Sequence, residues 1–115
     1  MSIFGPNRRY ITRRMTAQIQ NDINDERQRQ NETWGYNDHH VFKWLAIITE
    51  ELGEASAEAL EIDFWERKNA DDLEEVKDVI AARRQLLRKE LIQVAASTVA
   101  MLEHLDRRID EDKNA

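Results

Sequence analysis

A chain of 115 residues, 41% of them hydrophobic and 35% charged, can form one domain with a core of its own. Its net charge of −6 argues against sequence-blind binding to nucleic acid, and the absence of cysteine excludes disulfides and thiolate metal sites. That absence fits a reducing cytoplasm, which is the expected location. No apolar run approaches the roughly 18 residues of a membrane helix, and the N-terminus lacks the apolar core of a signal peptide.

The chain has 3 Gly and 1 Pro, and neither type occurs after Gly53, so nothing interrupts helix formation over the second half. The expected fold is all-α, an antiparallel helical bundle forming a single domain over 1–115. Residues 1–9 read as a loose arm made basic by Arg8 and Arg9; with Arg13 and Arg14 they suit a solvated segment better than a nucleic-acid contact. Ile11, Met15, Ile19 and Ile23 recur every four residues and predict a first helix to about Gln30, with that stripe as its buried face. A break is expected at Asn31–Asp38, where Trp34, Gly35 and Tyr36 sit in a polar loop.

Asp38 is the expected N-cap of a second helix from Val41 to about Glu61. His39 and His40 open it, and neighbours about 100° apart on a helix make a poor chelating pair. Phe42, Leu45, Ile48 and Leu52 are its expected core-facing residues. Residues 62–71 read as a turn with Phe64 and Trp65 tucked back onto the bundle, and Asp71 or Asp72 can cap the third helix. From Leu73 to about Ile109 one long helix is expected, with a possible break at Arg83-Arg84 and a fraying tail over 110–115. The apolar residues of its second half cover too much of the circumference to bury in one small bundle, so part of this surface reads as a subunit interface.

The chemistry concentrates in Thr49-Glu50-Glu51-Leu52-Gly53-Glu54-Ala55. Glu50 and Glu54 share a helical face, and Glu51 lies one step round from both. At least one carboxylate then falls on or beside an apolar stripe, where it is costly unless paired. A divalent cation would neutralise several at once, but it needs oxygen ligands from a second helix. Glu75/Asp78, Glu90/Gln93 and Glu103/Asp106 all have suitable spacing. Antiparallel helices rise equally on both sides of a turn, and the midpoint of Leu52 and the Glu90/Gln93 pair falls at the expected turn near Asp71-Asp72. Glu90/Gln93 is therefore the preferred partner. The competing reading is plain surface charge.

Three blocks carry a family resemblance: Ile23 to His39/His40 with Glu26-Arg27 and Trp34-Gly35, then Thr49–Ala55, then Arg88–Ala96. In this order they resemble MazG-like proteins, all-α nucleoside triphosphate pyrophosphatases, and most closely the small phage-type members. The resemblance spans roughly 19–107. It implies a helical bundle that forms a homodimer or homotetramer, uses Mg²⁺ or Mn²⁺, and cleaves NTP or dNTP to the monophosphate and pyrophosphate. Glu51, Glu54 and Glu90 would hold the principal metal, with Gln93 in the fourth position of the pattern. Glu50 would bind a further metal or position the attacking water.

Two departures stand out. Gln93 occupies a position where the family pattern has Asp, which removes a negative charge, although phage-type relatives also carry the glutamine. The spacer between Glu54 and Glu90 is long, so Glu75 and Asp78 form a rival second-helix pair. Lys89 and Arg88 adjoin Glu90 and are candidates for phosphate contact, against solvent-facing salt bridges. Trp34 and His39 are candidates for stacking on the base. The alternative function is a non-catalytic helical interaction or regulatory module with a weakened metal site. A di-iron carboxylate bundle is set aside, since none of the three histidines follows a glutamate by three positions.

Overall fold

The computed structural model describes residues 13–34, 39–68 and 74–115. These form three helices, α1 (Arg13–Trp34), α2 (Val41–Lys68) and α3 (Glu74–Lys113), with no strand among the described residues. None of the three is long and apolar enough to cross a membrane. The expected arm at 1–9, Ile11, the side chain of Trp34, Gly35-Tyr36, and the caps Asp38, Asp71 and Asp72 lie outside the described residues.

Each helix outruns its expected end. α1 continues through residues 31–34, α2 through 62–68, and α3 shows neither a break at Arg83-Arg84 nor a tail that frays at 110. The reason is local: these stretches hold no Gly or Pro, and their polar residues pair along the helix. Arg67 bonds Asp63 one turn back, while Arg67 and Lys68 place positive charge on the C-terminal carbonyls of α2. Phe64 is therefore not folded back. It stays half exposed on the helix, edge-on to Trp65 and capped by the Lys68 ammonium. At the other end of α2, His40 Nδ1 accepts a hydrogen bond from the Phe42 amide at 3.3 Å, and the His40 carbonyl receives the amides of Lys43 and Trp44. His40 thus does the capping.

α3 is the spine. Forty residues make it about 60 Å long, matching the 65 Å long axis of the molecule. α2 runs antiparallel along α3 and α1 also packs on α3, and among the described residues α1 and α2 do not pack on each other. Ile80, Ala96, Ala100, Trp44 and Ala55 are buried where the helices meet. Small residues at 96 and 100 allow the backbone of α1 to approach closely.

The faces differ from the expected ones. On α2 the α3-facing line is Trp44, Glu51, Ala55 and Glu58, one step round from the expected stripe, so that Phe42 (76%), Leu45 and Leu52 are exposed and only Ile48 is half-buried. On α1 every residue from 13 to 20 is exposed, including Met15 and Ile19. What α1 turns to α3 is largely polar: Ile23, Glu26, Arg27 and Gln30 fall at i, i+3, i+4 and i+7. Arg27 clamps the Glu103 carboxylate with two hydrogen bonds of 3.4 and 3.0 Å, and Arg88 bonds Asp22.

Gly53 sits in the middle of α2 with nothing within 4 Å of where a Cβ would stand. Gly53→Ala is expected to stabilise the protein by about 0.5–1 kcal/mol through lower unfolded-state entropy. Thermal denaturation checks this; a lower midpoint would mean that the open space serves a contact this chain does not supply.

Candidate functional site

The site is built where the middle of each helix passes the same level. In α2, Glu51 points at α3, and its Oε1 accepts a hydrogen bond from Ser97 Oγ at 2.9 Å. The Ser97 hydroxyl in turn receives the Gln30 amide from α1 at 3.5 Å. A polar relay thus crosses the bundle from α1 through α3 to α2. Gln30 and Ser97 are both buried, and buried polar groups of this kind are normally hydrogen-bonded to one another.

One turn on, Glu54 meets Glu90. The antiparallel register symmetric about residues 71–72 requires this approach, and the Glu54 carboxyl acts on Glu90 directly. Glu90 is held above the usual carboxylate range, first by loss of solvent and then by the adjacent Glu54 carboxyl. Glu51 is raised too, chiefly by burial, opposed by the Ser97 hydrogen bond and reinforced by the charges of Glu54, Glu26 and Glu90. Glu51 Oε2 and Glu90 Oε2 are buried with no hydrogen-bond partner. An orphaned carboxylate oxygen of this sort costs on the order of 1–3 kcal/mol, so two of them at one level mark a place that lacks positive charge.

The remaining candidates separate into those near this cluster and those away from it. Glu50 is exposed, and on the α2 wheel it lies on the same flank as Glu54. Gln93 is half-buried, one turn along α3 from Glu90. Lys89 is exposed, and its charge acts on Glu90. Arg88 is exposed and engaged by Asp22 of α1. Glu75 and Asp78 are exposed near the start of α3, about 20 Å along the helix axis from Glu90. His39 is half-buried at the far end of the bundle, edge-on to Trp44 with ring centroids 5.0 Å apart.

Sequence reasoning missed three contributors: Glu26, Gln30 and Ser97. Glu26 was legible only as part of a family block and Gln30 only as a helix end, because hydropathy places the inward face of α1 on its apolar residues. The i, i+4 spacing of Glu26 and Gln30 beside Ile23 was the available signal. Among the described residues, no group of three or more histidine or acidic side chains is arranged to hold an ion. Ser97 already occupies one oxygen of Glu51.

These shifts set a pH dependence. Glu51 and Glu90 have raised folded-state values, so their stabilising contribution is full below the unfolded value of about 4.3 and is lost as pH rises through the raised values. Asp22 is lowered, first by its Arg88 hydrogen bond, so its contribution is present above about 3.9 and is lost as pH falls through the depressed value. The metal-free protein should therefore melt at a higher temperature near pH 5 than near pH 7.5, and Glu51→Gln with Glu90→Gln should shrink the gap. Circular dichroism melts at the two pH values decide it; equal midpoints in the wild type would refute it.

A scan against family models, a search of curated proteins and a search of solved structures each gave no match to this chain.

Proposed function

We infer that the chain is a MazG-like nucleoside triphosphate pyrophosphohydrolase, acting on NTP or dNTP with Mg²⁺ or Mn²⁺ to release the monophosphate and pyrophosphate. The observation that carries this reading is the meeting of Glu51, Glu54 and Glu90, with Glu26 of α1 acting on Glu51, around two orphaned carboxylate oxygens. The donor chemistry suits a hard divalent cation: carboxylates, the Gln93 amide oxygen and a serine hydroxyl, with no soft or imidazole donor at that level. Such an ion, when bound, would neutralise phosphate charge and make water a better nucleophile at neutral pH.

The chain's own residues then divide the work. Glu51, Glu54 and Glu90 would supply the ligand oxygens, with Gln93 adding a neutral one. Glu50, exposed beside Glu54, is placed to orient a water and take its proton as the new oxygen joins the α-phosphorus. The bond that breaks is the one from the α-phosphorus to the oxygen bridging it to the β-phosphorus. Lys89 adjoins the cluster and can meet a phosphate directly, whereas Arg88 would first have to leave Asp22. His39, held against Trp44, is too far from the cluster for a stacking role within one chain.

A second reading has its own support. Gln93 and the unassembled ligand geometry suit a helical interaction or regulatory module that kept the bundle without strong metal affinity. A pyrophosphate-release screen over the common NTPs and dNTPs with Mg²⁺ and Mn²⁺, paired with nucleotide-dependent thermal shifts, separates the two. Release that requires the metal supports the hydrolase. No release and no metal-dependent shift leaves the module.

A further inference from the structure

The polar relay from Gln30 through Ser97 to Glu51 stops short. A network that only holds helices together closes on satisfied groups, since an unpaired buried polar atom is costly. This one ends on a carboxylate with Oε1 bonded and Oε2 buried without a hydrogen-bond partner. Arg27–Glu103 and Arg88–Asp22 fasten α1 to α3 as well, but neither ends on the carboxylate cluster.

Ser97 is buried in α3 beside the fully enclosed Ala96 and one turn before the buried Ala100. An alanine at 97 would continue that line without burying a hydroxyl, which costs free energy unless it is bonded. Within a helix the nearest acceptor is the carbonyl four residues back, and Thr98 uses it, donating to the Val94 carbonyl at 2.8 Å. Ser97 donates across the interface instead, to Glu51 Oε1 at 2.9 Å. Gln30 accounts for the direction. Its amide N–H reaches the Ser97 oxygen at 3.5 Å, which takes up a lone pair and leaves the single hydroxyl proton for the carboxylate. Glu51 is thus held by one oxygen and has the other to offer.

We propose that Ser97 is a positioning residue for Glu51, holding Oε1 so that Oε2 is the oxygen presented to a divalent cation. Gln30 sets Ser97 from α1, so docking of that helix and binding of the ion favour each other. The inference rests on the hydrolase reading of the same cluster and deepens it. Partners that orient a ligand in this way change metal affinity by about 10- to 100-fold. The coupling is reciprocal: whatever a docked α1 adds to the hold on the ion, the ion adds to the hold on α1.

Mn²⁺ titration of the full-length protein, read by electron paramagnetic resonance of the free ion, tests this without turnover. Ser97→Ala is expected to weaken Mn²⁺ binding by about 10- to 100-fold while the far-ultraviolet signal stays helical. Gln30→Met removes the amide donor at similar length and should give a smaller loss, because that link is the longer one. Thr98→Ala is the control, since its hydroxyl serves only the Val94 carbonyl. Deuterium exchange gives the second readout: Mn²⁺ should slow exchange of the α1 amides in the wild type and not in Ser97→Ala. If Ser97→Ala binds Mn²⁺ as tightly as the wild type, or Thr98→Ala weakens it equally, the proposal falls and the hydrolase reading stands. The same holds if Mn²⁺ slows α1 exchange equally with and without the serine. A wild type that binds no Mn²⁺ overturns the reading and the inference together.

Discussion

Glu54→Gln and Glu90→Gln are each expected to lower pyrophosphate release by at least about 100-fold, since loss of even an outer partner of a metal ligand costs 10- to 100-fold. The same substitutions should not weaken the fold. Glu90 holds an orphaned oxygen and is raised by burial and by Glu54, so a neutral amide of the same shape relieves what the carboxylate suffers. The expected signature is thus a thermal midpoint unchanged or higher, together with lost turnover and lost stabilisation by Mn²⁺. Residues that destabilise a fold and serve a reaction behave this way. Turnover unchanged in both variants would remove these residues from the site, and a collapse of the fold would make them structural.

Trp44→Ala should have the largest effect on stability. The indole is 8% exposed at the α2–α3 interface, flanked by His39 at 5.0 Å and His104 at 6.3 Å between ring centroids. Truncating so large a buried ring costs about 3–5 kcal/mol through lost contact and residual cavity. Total stabilities of small domains run at about 5–15 kcal/mol, so the variant is expected to be largely unfolded at 37 °C. Trp44→Phe separates packing from polarity. The indole Nε1 is buried without a hydrogen-bond partner, so replacing it by an apolar ring sacrifices no bond. Urea titration followed by circular dichroism should place Trp44→Phe close to the wild type and Trp44→Ala well below it.

The helical class was legible in the sequence because no Gly or Pro follows Gly53. The register of α2 against α3 was legible for an equally simple reason. Equal rise on both sides of a turn near residues 71–72 puts residue 54 against residue 90 without any knowledge of side chains. The inward face of α2 was not legible. Leu45, Ile48 and Leu52 make the cleaner apolar stripe, yet Trp44, Glu51 and Ala55 face α3, and a periodicity cannot say which of two adjacent stripes meets its own chain. The polar side of α1 escaped for the opposite reason. Arg27–Glu103 and Gln30–Ser97 join residues far apart in sequence, and hydropathy treats each of them as surface.

Because among the described residues α1 touches α3 but not α2, and is fastened to α3 largely by Arg27–Glu103, Arg88–Asp22 and Gln30–Ser97, it is expected to open as a unit of its own. Its backbone amides should exchange with deuterated solvent through a partial opening that leaves the α2–α3 hairpin closed. Ions in solution screen two of those three fastenings. Detachment of this helix therefore becomes easier as ionic strength rises, while the hairpin, held by apolar burial, is little affected.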